Sequence, residues 1–375
     1  MAGIYIHIPF CRQKCYYCDF YKTVNTTLTA KFLSALKTEI VQRKDYLENE
    51  GIETIYFGGG TPSVLTKIEL SGILDFLLLH FNVSKTVEIT FEANPDDLSV
   101  EYLDEIYSAG VRRLSIGVQS FHNEFLQKMN RRHDASQAIE AVENAARIGF
   151  NDISVDLIYG LPGLKISKWK SDLEQVFALP VQHLSAYHLT YHEGTPFYTW
   201  LKKGTLKALK ETESIKQFKV LVQSAKENGY EQYEISNFAK EGRYSKHNSA
   251  YWKGVKYLGL GPSAHSFNGF SRSWNSSHIE SYIKALESGL PYFEEEILSE
   301  NNKYNEYVLT RIRTIWGVSA NELEELFGSE KTSYFKKNIA KYINTGLVEF
   351  HNGIYNLTEK GMFVSDEIMA NLMFI

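Results

Sequence analysis

One alternation narrows the fold more than any other feature. Across residues 1–235, six short β-rich runs lie at 4–8, 54–57, 87–91, 113–118, 152–158 and 183–189. Amphipathic stretches of helix length lie between or after them, at 29–46, 67–81, 100–109, 135–148 and 211–228. Strands spaced by helix-length segments predict βα units and a parallel sheet. Six units in succession predict an α/β fold, a partial (β/α)6 barrel of the TIM type. In such a barrel the C-terminal ends of the strands build the active site.

Nearly every run ends in a chemically loaded segment. The first leads to Cys11, Cys15 and Cys18, the second to Gly58-Gly59-Gly60-Thr61-Pro62, and the third to Glu92-Ala93-Asn94-Pro95-Asp96. The fourth ends at Gln119-Ser120-Phe121, and the fifth contains Asp156 and leads to Gly160-Leu161-Pro162-Gly163. Gly and Pro alone would mark ordinary turns, but five such loops on one side of a barrel predict a shared site.

The remaining chain divides in two. Residues 236–300 are rich in Gly, Ser, Asn and aromatics, and the expectation is an irregular extension across the barrel mouth. Residues 301–375 read as a small winged-helix-like domain. Helical patterns at 305–315, 319–327 and 333–345 precede a segment, 347–358, centred on Asn352-Gly353, a strong type I′ hairpin signal. From Glu300 onward there are 8 Lys and Arg against 10 Asp and Glu, so a protein contact is expected there and not a nucleic acid.

Composition excludes several classes. The net charge is −5, so no basic field favours nucleic acid. The longest apolar run, residues 73–81, is too short for a membrane span and carries Asp75. No basic segment precedes an apolar stretch near the N-terminus, so the expected location is the cytoplasm, with at most peripheral membrane association. The three cysteines of the chain all lie between residues 11 and 18, which rules out a disulfide framework. The 51 aromatic side chains (24 Tyr, 22 Phe, 5 Trp) suit a large core or a pocket for flat ligands.

The spacing Cys11-x-x-x-Cys15-x-x-Cys18 puts three thiolates on one tight loop. They suit three irons of a [4Fe-4S] cubane, leaving the fourth iron open for a substrate or cofactor. Zinc is the alternative, with Asp19 or His7 as fourth ligand. A redox dithiol would leave one cysteine unexplained. Phe10, Tyr16, Tyr17 and Phe20 would shield a cluster from water.

The cysteine motif resembles the signature of radical S-adenosylmethionine (SAM) proteins. In that family SAM chelates the fourth iron, and one electron from the cluster cleaves it to a 5′-deoxyadenosyl radical. The longer run Tyr5-Ile6-His7-Ile8-Pro9-Phe10-Cys11 is similar to the oxygen-independent coproporphyrinogen III oxidase branch, which includes heme-chaperone relatives. The resemblance extends over nearly the whole chain. It implies that Tyr5 lies beside the SAM sulfonium and that Tyr17 contacts the adenosyl part. It also implies that Gly59, Gly60 and Thr61 receive the SAM amino group and backbone, and that Glu92 binds the ribose hydroxyls. Gln119, Arg131 and Asp156 complete the implied cofactor contacts, with Arg132 adjacent to Arg131 in sequence.

Two departures from the oxidase pattern bear on activity. The oxidases carry a fourth cysteine two positions after the third, where this chain has Phe20. They also carry a longer N-terminal extension, where ten residues precede Cys11 here. The segment His247-Asn248-Ser249-Ala250-Tyr251-Trp252 resembles the H-N-x-x-Y-W motif of radical SAM heme chaperones, which implies heme at His247, Tyr251 and Trp252. The expected function is therefore heme binding and delivery to apo-hemoproteins such as respiratory cytochromes. An electron donor such as ferredoxin or flavodoxin is implied for the cluster. The alternative is decarboxylation of coproporphyrinogen III to protoporphyrinogen IX.

Overall fold

A computed structural model describes all 375 residues. Its centre is a run of parallel strands: β1 (Ala2–Ile8), β2 (Ile52–Gly59), β3 (Val83–Ala93), β4 (Arg113–Gln119), β5 (Asp152–Tyr159) and β6 (His183–His188). They lie side by side in chain order, and helices connect each to the next. The six expected strands and five expected helices are present, with ends shifted by a few residues. The helices Asn123–Lys128, Ile166–Ala178 and Pro196–Lys202 add to them. Local chemistry starts the elements. The helix Lys67–His80 opens on a reciprocal pair in which Thr66 caps Glu69 and Glu69 caps Thr66.

The strands sort their side chains by face. On β1, Ile4, Ile6 and Ile8 are fully buried in one core with Ile55, Phe57, Phe91, Leu114, Ile116, Val155 and Leu184 from the neighbouring strands. Helix residues such as Leu36, Leu77 and Val142 join that core. The alternate positions are polar. Register pairs Tyr56 with Thr90, Glu92 with Ser115, Ser115 with Ser154 and Asp156 with Ser185. The apolar face thus packs on the helices, and the polar face lines the concave interior.

The segment 236–300 is regular, contrary to the expectation of an irregular extension. It begins beyond β7 (Tyr230–Glu234) and contains β8 (Asn237–Lys240), β9 (Lys256–Leu260), β10 (His265–Phe267), β11 (Ser271–Asn275) and β12 (Phe293–Ile297). β9 pairs parallel with β1, β8 pairs antiparallel with β6, and the sheet grows to twelve strands. Short strands of three to five residues, interrupted by Gly and Asn, carry too little periodicity to be read alone.

Residues 304–372 contribute a second, smaller core. Here β13 (Val318–Ser319), β14 (Val348–His351) and β15 (Ile354–Leu357) form an antiparallel sheet in the order β13-β15-β14. The hairpin turns at Asn352 and Gly353, both at positive φ. The two expected helices at 319–327 and 333–345 appear as one span, Ala320–Asn344, broken at Gly328 (φ 74°, ψ 179°). No helix is long and apolar enough to cross a membrane.

Candidate functional site

The loop after β1 is tied at its base. Cys11 N–H donates to the Thr23 carbonyl (2.9 Å) and Thr23 N–H to that of Pro9 (2.7 Å). The Phe10 ring packs edge-on against Phe32 at 5.4 Å. At its tip the loop is tied to the turn before Arg131. Gln13 donates to the Asn130 carbonyl (2.9 Å), and Asn130 donates to that of Lys14 (2.8 Å). Backbone and amide bonds thus tie the loop at both its base and its tip.

All three cysteines face a cavity of about 430 Å³ at the C-terminal ends of β1–β6. The Thr61 hydroxyl donates to Cys11 Sγ (3.2 Å) and the Arg131 guanidinium to Cys15 Sγ (3.4 Å). Burial pushes the Cys11 thiol up to about 11 and that of Cys18 upward. A metal must therefore displace protons to bind. Both candidates for a fourth zinc ligand are engaged elsewhere. Asp19 pairs with His192 at 3.2 Å. His7 Nε2 donates to the Tyr21 carbonyl (3.0 Å), while its Nδ1 lies 3.3 Å from the Tyr5 hydroxyl. No three Cys, His, Asp or Glu side chains converge as the ligands of one ion must. A cluster needs no such convergence, because each thiolate takes its own iron.

The opposite wall carries carboxylates. Tyr56 donates to Glu92 Oε1 (2.7 Å) and Gly59 N–H to Oε2 (3.2 Å). Ser115 donates to both oxygens of Asp156 (3.2 and 3.1 Å). Shielding from bulk water pushes Glu92 up to about 7 and Asp156 up to about 6, despite those donors. Further hydroxyl or amino donors would favour the charged form of both carboxylates. On the far side Arg131 donates to Asn94 Oδ1 (2.6 Å) and the Gly117 carbonyl (2.6 Å). Arg132 is turned away to Asp96 (2.5 Å) and Asp97 (2.8 Å). Of the two arginines, Arg131 is the one at the cavity.

Backbone shape completes the wall. Gly59 has φ 104°, and a Cβ there would lie 2.6 Å from the His7 ring. A Cβ on Gly60 would lie 2.7 Å from the carbonyl oxygens of Ile8 and Phe10. Gln119, at φ 69°, sits in a bulge of β4 and lines the cavity. A non-glycine residue in that region costs about 1 kcal/mol, which marks a constrained position.

Cys11, Cys15, Cys18, Tyr17, Gly59, Gly60, Thr61, Glu92, Gln119, Arg131 and Asp156 thus meet in one cavity. Tyr5 does not reach it. It lies behind the wall, stacked on Tyr56 with centroids 6.0 Å apart. Tyr56 and Ser115, which hold Glu92 and Asp156, belong to no motif in the sequence. Their signal was the polar residue at every second strand position.

The His247 segment forms the helix Lys246–Trp252, against the floor of the barrel. His247 is buried and stacked on Tyr56 at 5.0 Å. Its Nδ1 bonds Thr54 (2.8 Å), its Nε2 bonds Tyr251 (3.1 Å), and burial lowers its pKa to about 3. Trp252 lies under the Arg313 guanidinium at 4.6 Å. In this arrangement both imidazole nitrogens are hydrogen-bonded, and His247 does not line the cavity at the thiols.

The donor set, with a basic group, buried carboxylates and a glycine edge around three thiols, suits an amino acid joined to a nucleoside beside a cluster. Known proteins agree. Residues 5–176 match the Radical SAM superfamily, and residues 298–364 match the HemN C-terminal domain. The Heme chaperone HemW of Bacillus subtilis is 33% identical over 99% of this chain and 98% of its own length. This chain belongs to the HemW family of radical SAM proteins. The HemW of Lactococcus lactis is 32% identical over 98% of this chain and 96% of its own. The mouse mitochondrial radical S-adenosyl methionine domain-containing protein 1 is 34% identical over 70% of this chain and 60% of its own. In fold, the chain matches coproporphyrinogen III oxidase (HemN) from Escherichia coli with a TM-score of 0.86 at 24% identity, covering 99% of this chain and 90% of that one. Membership in the radical SAM superfamily implies a [4Fe-4S] cluster and SAM, and the cavity residues fit both.

Proposed function

We propose that this chain is a heme chaperone that holds heme and hands it to apo-hemoproteins, respiratory cytochromes among them. The observation that carries this reading is the end-to-end match to relatives named heme chaperones, C-terminal domain included. Phe20 adds to it. The residue at the position of the oxidases' fourth cysteine is a phenyl ring that is 66% exposed.

A [4Fe-4S] cluster on Cys11, Cys15 and Cys18, with SAM on its open iron, would supply one-electron chemistry inside the cavity, fed by a donor such as ferredoxin or flavodoxin. The chain's own residues prepare that space. Arg131 would receive the SAM carboxylate. Glu92 would accept the ribose hydroxyls, shedding the proton that burial lets it keep. Tyr17, Gln119 and Asp156 would frame the nucleoside, and Gly59, Gly60 and Thr61 would let the amino acid lie along the strand end. Such a protein acts in the cytoplasm, touching a membrane at most peripherally to reach its recipients.

The rival reading is oxidation of coproporphyrinogen III. Protein reconstituted without oxygen and given SAM and a reductant is expected to leave coproporphyrinogen III unchanged by chromatography. Robust protoporphyrinogen IX formation would overturn the chaperone reading.

A further inference from the structure

A second cavity, of about 630 Å³, lies outside the barrel on the other side of the cysteine loop. Its walls are Tyr16, Phe125, Leu161, Pro162, Phe197 and Trp200. Three of these rings form one cluster, with Tyr16 5.0 Å from Trp200, Phe197 5.7 Å from Trp200 and Tyr16 6.5 Å from Phe197. The cluster is held by backbone. Phe197 N–H donates to the Tyr16 carbonyl and Tyr16 N–H to that of Met129, both at 3.1 Å. Tyr16 and Tyr17 are consecutive, yet Tyr16 lines this cavity and Tyr17 lines the one at the thiols.

The rim is cationic. Lys128 and Lys207 both line the cavity, and both are exposed. Neither takes part in any ion pair of the chain. Lys128 Nζ stands 5.1 Å from the centre of the Phe125 ring, so one ammonium sits directly on the aromatic wall. No carboxylate lines the cavity. Aromatic walls with two unpaired ammonium groups at the edge suit a flat apolar plate that carries two carboxylates.

We propose that this cavity is where the chain holds its tetrapyrrole, with the macrocycle against Tyr16, Phe197 and Trp200 and the two propionates at Lys128 and Lys207. The inference rests on the heme-chaperone reading and deepens it, because it moves the heme from the closed His247 helix to an open pocket. The lining contains no His, Cys or Met, and the Tyr16 phenol is its one side chain of a usual heme-ligand type. We take Tyr16 as wall and not as ligand, so recognition rests on the plate and its carboxylates, and metal-free protoporphyrin IX competes with hemin.

The test is a hemin titration followed by absorbance on the full chain, reconstituted with iron and sulfide. Wild type is compared with Lys128→Glu/Lys207→Glu, with Trp200→Ala, and with a charge control outside the cavity, Lys85→Glu/Lys337→Glu. All four lysines are exposed, and circular dichroism with iron content checks that each variant folds and loads as wild type does. The expected result is at least a tenfold weaker Kd for the rim variant, a weaker Kd for Trp200→Ala, an unchanged Kd for the control, and displacement of hemin by protoporphyrin IX. If hemin binds wild type and the rim variant alike, or protoporphyrin IX fails to compete, the cavity is not the site, although the chaperone reading survives. If wild type binds no hemin, the chaperone reading falls and takes this assignment with it.

Discussion

Glu92 shows how one residue can trade stability for binding. Burial raises its pKa from the ordinary 4.5 to about 7 in the ligand-free fold. Between those values the folded chain keeps a proton that the unfolded chain has released. Stability therefore falls as pH rises from about 4.5 to about 7, by about 3 kcal/mol for a shift of this size. Glu92→Gln is expected to flatten that part of the pH–Tm curve of the SAM-free protein and to raise Tm at pH 8, while weakening SAM by about tenfold or more in a binding titration. Burial raises the Cys11 and Cys18 thiols as well, and the proposed role of the three cysteines is read through iron. Cys15→Ser is expected to lose cluster iron after reconstitution, and an unchanged iron content would overturn the cluster assignment. Gly60 is constrained by backbone. Its Cβ would meet two carbonyl oxygens that no side-chain rotation can move, so Gly60→Ala is expected to lower Tm measurably and to displace the Thr61 hydroxyl from Cys11.

At the scale of elements, the legible parts of the sequence were those with long periodicity. The six strands and their helices each carry an apolar face over several residues, so they stand out from a single sequence. The cysteines were legible from their spacing just after β1, and Glu92, Arg131 and Asp156 only through the family resemblance, since Arg131 follows the helix Asn123–Lys128 and Asp156 lies within β5. Tyr56 and Ser115 were not, because a polar residue at every second strand position ordinarily marks a solvated face, and here that face is turned inward on a cavity. The strands β8–β12 were hidden by their shortness. They are held by a knot that no local pattern shows. Glu39, on the helix Thr29–Arg43, accepts from Gly261 N–H (2.8 Å), Asn275 Nδ2 (2.6 Å) and the Tyr282 hydroxyl (2.6 Å), joining three segments more than 200 residues away. Glu39→Ala would leave the Gly261 N–H and the Tyr282 hydroxyl unpaired, at about 1–3 kcal/mol each, while Asn275 keeps the Gly261 carbonyl (2.8 Å). The expected outcome is a loss of several kcal/mol in a denaturant melt, with little change in the m value per unit of structure that still unfolds.

At the scale of the whole molecule, the C-terminal domain docks on the same segment that carries the His247 helix. Arg313 pairs with buried Glu234 at 2.7 Å and covers the Trp252 ring, while Lys253 stands 4.2 Å from the centre of the Trp316 ring. Ile315 N–H donates to the Tyr233 carbonyl (3.0 Å), continuing the contact through backbone. Arg313→Ala would remove the only partner of Glu234 Oε1, leaving Oε2 to Ser236 and Asn237, and a calorimetric scan is expected to split into two transitions as the two cores uncouple. The central claim is that heme leaves this chain for another protein. The most direct measurement is transfer. Protein loaded with hemin and freed of excess is mixed with heme-depleted membranes carrying apo-cytochromes, and the cytochrome absorbance bands are followed in the washed membrane fraction. The expected result is a rise in those bands that exceeds the rise from the same amount of free hemin. No rise beyond that of free hemin would contradict the account.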